Sequence, residues 1–91
     1  MGVSYIKHPD AVLDYGFDWS DWLESAETIA SSEWDVPSGL SEESLSGYTD
    51  TTTLIWLAGG IKDEDYDVIN HITTSEGRED SRTMTIKVRS R

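Results

Sequence analysis

Apolar side chains recur at every second position along much of this chain, which is the periodicity of a β-strand. The last segment shows the pattern clearly, because Met84, Ile86 and Val88 alternate with threonine, lysine and arginine. Such alternation gives a strand one apolar face that can be buried and one polar face that is exposed to solvent. The pattern therefore predicts an all-β protein.

Turn residues divide the alternating stretches into six or seven short antiparallel strands. We expect strands over residues 13–19, 28–36, 44–48, 51–58, 66–72 and 83–89. Turn signals about every eight to twelve residues are typical of a β-sandwich, whereas a βαβ fold needs long helical crossovers. The hairpin over residues 66–88 looks like the last two strands of an immunoglobulin-like domain.

The length of 91 residues corresponds to one domain. Residues 1–11 are expected to form an N-terminal arm, because Pro9 prevents an easy continuation into a sheet, and residues 12–91 to form the domain. The chain has no cysteine, so disulfides and thiolate metal sites are excluded. No stretch approaches the roughly 20 apolar residues of a membrane span, and no secretory signal is visible, so we expect synthesis in the cytoplasm and no membrane partner.

The net charge of −11 is unevenly distributed. Residues 1–70 hold fifteen acids and two bases (−13), whereas residues 71–91 hold three acids and five bases (+2). A nucleic-acid-binding protein carries a basic patch, so the acidic body predicts no nucleic-acid partner. The asymmetry either serves solubility or brings a basic end against an acidic neighbour.

No catalytic constellation can be assembled from the sequence. Nucleophilic catalysis needs a base near a nucleophile and a group that orients the base, and the two histidines, His8 and His71, have no such partners. The acidic run at residues 63–67 begins like a calcium loop, but Val68 and Thr74 stand where that loop needs glycine and glutamate. We predict a non-enzymatic protein with no catalytic residue, metal site or cofactor.

The segment 15–34 concentrates three of the four tryptophans, one tyrosine and the only phenylalanine. Tyr15, Phe17 and Trp19 alternate with Asp14, Gly16 and Asp18, which are expected to face solvent. We therefore expect the three rings mainly in the core. Trp22 could lie in the core or at a contact surface. Trp56 is the ring expected at an interface, because its neighbours Ile55 and Leu57 point to the opposite face of the strand and are expected to be buried there.

The last strand carries Lys87, Arg89 and Arg91 at every second position, opposite the apolar face. Charges in this position could protect an edge strand from wrong pairing. They could equally form a docking stripe for an acidic partner. The pattern alone does not decide between these two roles.

A family resemblance is carried by the segments KHPDAVLDYGFDWSDWL, TIASSEW, GLS, TTTLIWLAGG and YDVINHITTSEGREDSR, which together extend over most of residues 7–88. The chain resembles small virion proteins of tailed bacteriophages and prophages that are described as fiber–tail adaptor or head–tail connection proteins. The resemblance implies an immunoglobulin-like β-sandwich with an adhesive role and no catalytic activity. Within the last segment, Gly77 is expected at the turn, and Arg78, Asp80 and Arg82 could fix the hairpin or contact a neighbour.

The resemblance therefore implies a structural virion component at the neck, tail or fiber attachment. Its partners would be other virion proteins and copies of itself, with the acidic body meeting the basic last strand. The alternative is a module that decorates a capsid or fiber and binds host glycans through Trp22 or Trp56. Both alternatives place the mature protein in the virion of a phage.

Overall fold

The computed structural model describes residues 3–43 and 46–90. Regular structure in these residues is entirely β, which confirms the predicted class. Eight strands are present where six or seven were expected: β1 (Val3–Lys7), β2 (Leu13–Asp18), β3 (Ile29–Asp35), β4 (Leu40–Glu42), β5 (Gly47–Tyr48), β6 (Thr52–Gly59), β7 (Asp65–Thr74) and β8 (Glu79–Val88). Of the strand expected over residues 44–48, Ser44 and Leu45 lie outside the described residues.

The strands form two sheets. The first has the order β1-β8-β7-β3, and the second has the order β2-β6-β4, with β5 also paired to β6. The predicted final hairpin is present as the antiparallel pair of β7 and β8. Its turn contains Gly77, which has a φ of 83° and donates its N–H to the Thr74 carbonyl oxygen at 3.0 Å.

Strand β1 departs from the expected N-terminal arm and from the expectation of purely antiparallel pairing. Val3–Lys7 runs parallel to β8, with Tyr5 opposite Ile86. Tyr5 also lies against the second sheet, where its ring centroid is 5.0 Å from that of Tyr15. Pro9 does not prevent this pairing because it lies in the turn after the strand has ended.

Lys7 connects β1 to β6 of the second sheet through a hydrogen bond. Its side chain is buried, and its Nζ donates to the carbonyl oxygens of Gly59 at 2.6 Å and His8 at 3.1 Å. Burial lowers the pKa of Lys7, and nearby Asp10 acts in the opposite direction. An inward-pointing charge on an edge strand also discourages pairing with a further strand.

The core lies between the two sheets and consists mainly of the predicted alternating side chains. Ile55 and Leu57 of β6 pack against Met84, Ile86 and Val88 of β8. Tyr15, Leu40, Tyr66 and Val68 complete this cluster, and Trp19, Ile29 and Ile72 form a second cluster. The alternation predicted for the last two strands is confirmed, because their inward positions are the buried ones.

One predicted face is interrupted by a bulge. Strict alternation over the strand expected at residues 28–36 places Ala30, Ser32, Trp34 and Val36 on one side, but the register shifts between Ile29 and Ser31. As a result Ile29 is buried and Ala30 is exposed, while Ser32 and Trp34 remain partly buried. A bulge adds one residue to a strand, so it reverses the facing of the positions before it.

Asn70 of β7 is a fully buried polar residue that joins the two sheets. Its Oδ1 accepts hydrogen bonds from Trp19 Nε1 at 3.1 Å and Thr53 Oγ1 at 2.8 Å. Its Nδ2 donates to Ser32 Oγ at 2.9 Å and to the Glu33 carbonyl oxygen at 3.0 Å. Because buried polar groups are costly unless paired, this network fixes how the sheets sit against each other.

Candidate partner interface

The aromatic segment belongs largely to the core. Trp19 is fully buried, and Phe17 stacks on Trp34 with ring centroids 6.0 Å apart. Trp22 is partly buried and meets the Trp19 ring edge-on at 5.4 Å. Three of these four rings, Phe17, Trp22 and Trp34, are therefore only partly buried, and they pack against the two buried clusters.

Arg78 contacts both Trp22 and Glu27. Its guanidinium lies 4.1 Å from the centroid of the Trp22 ring, and its Nη2 donates to the Trp22 carbonyl oxygen at 3.2 Å. Its Nε and Nη2 donate to the two carboxylate oxygens of Glu27 at 3.0 and 2.6 Å. These contacts tie the β7–β8 turn to the segment before β3, and contact of Arg78 with a neighbouring protein stays a prediction.

The Glu27 carboxylate is the main electrostatic feature of this cluster. Its side chain is buried, and it also accepts hydrogen bonds from the Thr74 hydroxyl and the Glu24 N–H. Hydrogen bonds from Arg78, then from Thr74 and Glu24, lower the pKa of Glu27 from 4.5 to about 2. A carboxylate that receives several donors stays ionised even in acid. Sequence analysis missed Glu27, because its partners lie about fifty residues away.

Arg82 and Asp80 lie at the start of β8. The Arg82 guanidinium covers the Trp19 ring at 4.1 Å and reaches the Asp18 carbonyl oxygen and the Asp21 carboxylate at 3.1 and 3.4 Å. Asp80 is exposed and accepts a hydrogen bond from the N–H of Ser81. Both residues line an open cleft of about 550 Å³. Arg82 is thus tied to its own chain, whereas Asp80 faces solvent.

The three basic residues predicted along the last strand, Lys87, Arg89 and Arg91, differ in their contacts. Arg89 Nη2 donates to the Asp65 carboxylate at 2.8 Å. Lys87 is partly exposed on the outer face of β8, where it stands opposite Asp65 in the β7–β8 register and Ile6 in the β1–β8 register. Arg91 lies outside the described residues.

The outer face of the second sheet carries a groove of about 510 Å³. At its centre Leu54 of β6 is paired with Gly16 of β2 on one side and Gly47 of β5 on the other. Because neither neighbour has a side chain, Leu54 remains 36% exposed. Trp56 follows two residues later on the same face and is partly buried. The predicted interface tryptophan therefore lies beside the groove.

The outer face of β2 carries two aspartates, of which Asp18 lines the groove. Asp14 and Asp18 lie two residues before and after Gly16, and hence on the same face of β2. Hydrogen bonds from Ser20 lower the pKa of Asp18, and the charge of Arg82 adds to the effect. The groove is therefore apolar at its centre and negative along β2. Sequence analysis missed it, although a glycine inside a strand is a signal of close backbone approach.

The two glycines beside Leu54 differ in what they tolerate. A Cβ at Gly16 would collide with the Thr53 carbonyl oxygen, so the position requires glycine. A Cβ at Gly47 would meet nothing within 4 Å. A side chain placed at Gly47 would therefore enter the groove without displacing the fold.

Two residues of the acidic run at 63–67, Asp65 and Asp67, lie in β7 and make separate contacts. Asp65 pairs with Arg89, and Asp67 accepts a hydrogen bond from Thr85 at 2.8 Å. Over residues 3–43 and 46–90, no three or more histidine, cysteine or acidic side chains are grouped to hold a metal ion. The same residues include no helix with the length and apolarity of a membrane crossing.

The fold defines a small all-β protein of two sheets. Residues 7–87 match the model of a family described as podophage GP4 fiber-tail adaptor protein gp77. The chain belongs to this family of phage fiber-tail adaptors, as its sequence resemblance indicated. A comparison with curated proteins gave no match.

Proposed function

We propose that the chain is a non-enzymatic structural component of a tailed-phage virion that joins a fiber to the tail. The observation that carries this proposal is the family match over residues 7–87. The groove around Leu54 supplies an exposed surface for one of the two contacts that an adaptor needs. The net charge of −11 favours protein partners over nucleic acid, since nucleic-acid binding selects for basic surfaces.

We also propose that the two sheets form an immunoglobulin-like sandwich. Such a domain has strands C, F and G in one sheet and B, E and D in the other. The runs β3-β7-β8 and β2-β6-β4 have the corresponding order here, and the core between them supports the assignment.

The residues expected at a partner interface enter this proposal in two groups. Trp22, Arg78 and Arg82 serve the adaptor indirectly, because their contacts shape the surface around the β7–β8 turn. Asp80, Trp56 and Lys87, with Arg89 and Arg91, contribute to the contacts themselves. We propose that the last strand meets an acidic surface, either on another virion protein or on a further copy of this chain in a symmetric assembly.

Glycan binding is the weaker alternative. Aromatic rings bind sugars by offering an open face, and Arg78 occupies one face of Trp22. Trp56, on the outer face of the second sheet, is the ring left for this role. A change in tryptophan fluorescence on adding host polysaccharide, lost in Trp56→Ala, would favour this function.

The adaptor function is tested by counting the chain in purified, salt-washed particles by quantitative mass spectrometry. We expect a small fixed number of copies, near six or twelve per particle, as a symmetric tail junction requires. Hundreds of copies would favour a decoration protein. Absence from the particle would contradict a structural role in the virion.

A further inference from the structure

The groove beside Gly16 has features that select its occupant. Its centre is apolar at Leu54, and the strand that borders it, β2, is at an edge of its sheet. The outer face of β2 presents Asp14, then Gly16, then Asp18. Strand geometry puts these two aspartates about 13 Å apart, since each residue advances the chain by about 3.3 Å.

A second copy of this chain does not fit the groove by charge. The chain carries a net charge of −11, and four of its seven basic residues (Lys7, Arg78, Arg82 and Arg89) are already held by contacts within the molecule. The two basic residues of the described part that remain, Lys62 and Lys87, lie in a loop and on β8, so a second copy does not present two cations two residues either side of an apolar side chain. An occupant with cationic side chains would be attracted there instead.

We propose that the groove binds an extended, cationic segment of another virion protein that lies alongside β2. An apolar side chain of this segment passes over Gly16 to contact Leu54. Two lysine or arginine side chains, each two residues from the apolar one, face Asp14 and Asp18. This proposal rests on the adaptor function and specifies one of the two partners by its chemistry.

The spacing follows from the period of a strand. Side chains two residues apart point to the same side, so a segment with the order cation, any residue, apolar, any residue, cation matches the order on β2. The absence of a side chain at Gly16 leaves the path to Leu54 open. Main-chain hydrogen bonds to an edge strand, with side chains reading alternate positions, are an established mode of peptide binding.

The test uses the full chain and a synthetic seven-residue peptide. The peptide has leucine at its centre, lysine two residues to either side, and threonine elsewhere. A control peptide of the same composition has its lysines moved by one residue to the opposite face. We expect the first peptide, and not the control, to shift the amide NMR signals of Gly16, Gly47 and Leu54 in a salt-sensitive manner.

Variants of the protein locate the contact. Gly47→Val places a side chain in the groove, and we expect it to weaken peptide binding about ten-fold or more. Asp14→Asn and Asp18→Asn each remove one charge from the outer face of β2, and each should weaken binding about two- to five-fold. The matched controls are Ser31→Val and Asp35→Asn on β3 of the other sheet, which should leave binding unchanged. Thermal unfolding of each variant checks that it is folded.

The outcomes separate this proposal from the adaptor function. No peptide binding at millimolar concentration, equal binding of both peptides, or shifts of the same signals by host polysaccharide alone would overturn the groove proposal. So would particles that incorporate Gly47→Val and the fiber at wild-type levels, a result that leaves the adaptor function intact. Absence of the wild-type chain from particles would contradict the adaptor function itself.

Discussion

Arg78 and Glu27 form a bidentate ion pair across 51 residues of sequence. The pair joins the β7–β8 turn to the segment between β2 and β3. The carboxylate is buried, whereas the Arg78 side chain is 38% exposed. The hairpin that carries Asp80 and Arg82 is therefore anchored at its turn by a charge that solvent cannot reach.

Replacing Arg78 with methionine should destabilise the protein strongly. The Glu27 carboxylate would remain buried without its cation, and an unpaired buried charge is expensive. We expect the Tm to fall by about 10 °C or more. The control is Arg89→Met, which removes an exposed pair with Asp65 and should lower the Tm by only a few degrees. Equal losses in the two variants, measured by thermal unfolding, would contradict the assignment.

The same pair should make stability depend on pH. The pKa of Glu27 is about 2 in the folded protein and ordinarily 4.5, so the folded state favours the ionised form. Its contribution is complete above about pH 4.5 and is lost as the pH falls towards 2. We expect the difference in Tm between wild type and Glu27→Gln to shrink over this range. Comparison with the variant cancels the effects of the other carboxylates, and a constant difference would show that Glu27 is not the responsible group.

Asn70 should be the most sensitive polar position in the core. Asn70→Leu leaves the Trp19 indole N–H, the Thr53 hydroxyl and the Glu33 carbonyl without this partner. We expect a loss of about 3 kcal/mol in the free energy of unfolding, because each unpaired buried group is costly. Thr53→Val removes a single hydrogen bond and should cost about 1 kcal/mol. Urea unfolding measures both, and a tolerant Asn70→Leu would show that the network is dispensable.

Reversing the charge of Lys87 tests the proposed role of the last strand. Lys87→Glu should leave the protein folded, with a cost below about 1 kcal/mol, because the side chain is at the surface. We expect a several-fold lower amount of the variant in particles. Lys62→Glu, in an exposed loop, makes the same charge change and should be incorporated normally. Normal incorporation of both variants would remove Lys87 from the interface.

The sequence predicted strands and their buried faces correctly where apolar and polar residues alternate with a period of two. The alternation of Met84, Ile86 and Val88 identified both the strand and its buried face, because one face of a sheet must be dry. The resemblance identified the family correctly. It could not identify the open faces, because exposure of Leu54 depends on two glycines that come from different strands.

Other features depend on pairing between distant residues. Val3–Lys7 is short, and only the free edge of β8 makes it a strand. The bulge near Ala30 reverses a face without a strong local signal. The Glu27–Arg78 pair and the Asn70 network join segments far apart in sequence, so the pattern of residues around each member does not reveal its partner.

The central claim is that this chain attaches the fiber to the tail, and its most direct test is the composition of particles made without it. Quantitative mass spectrometry would compare fiber, tail and capsid proteins in particles from a deletion phage and from a complemented one. We predict that the deletion particles keep their capsid and tail proteins and lose the fiber, and that complementation restores it. Deletion particles that carry the fiber in wild-type proportion to the tail would contradict the adaptor function.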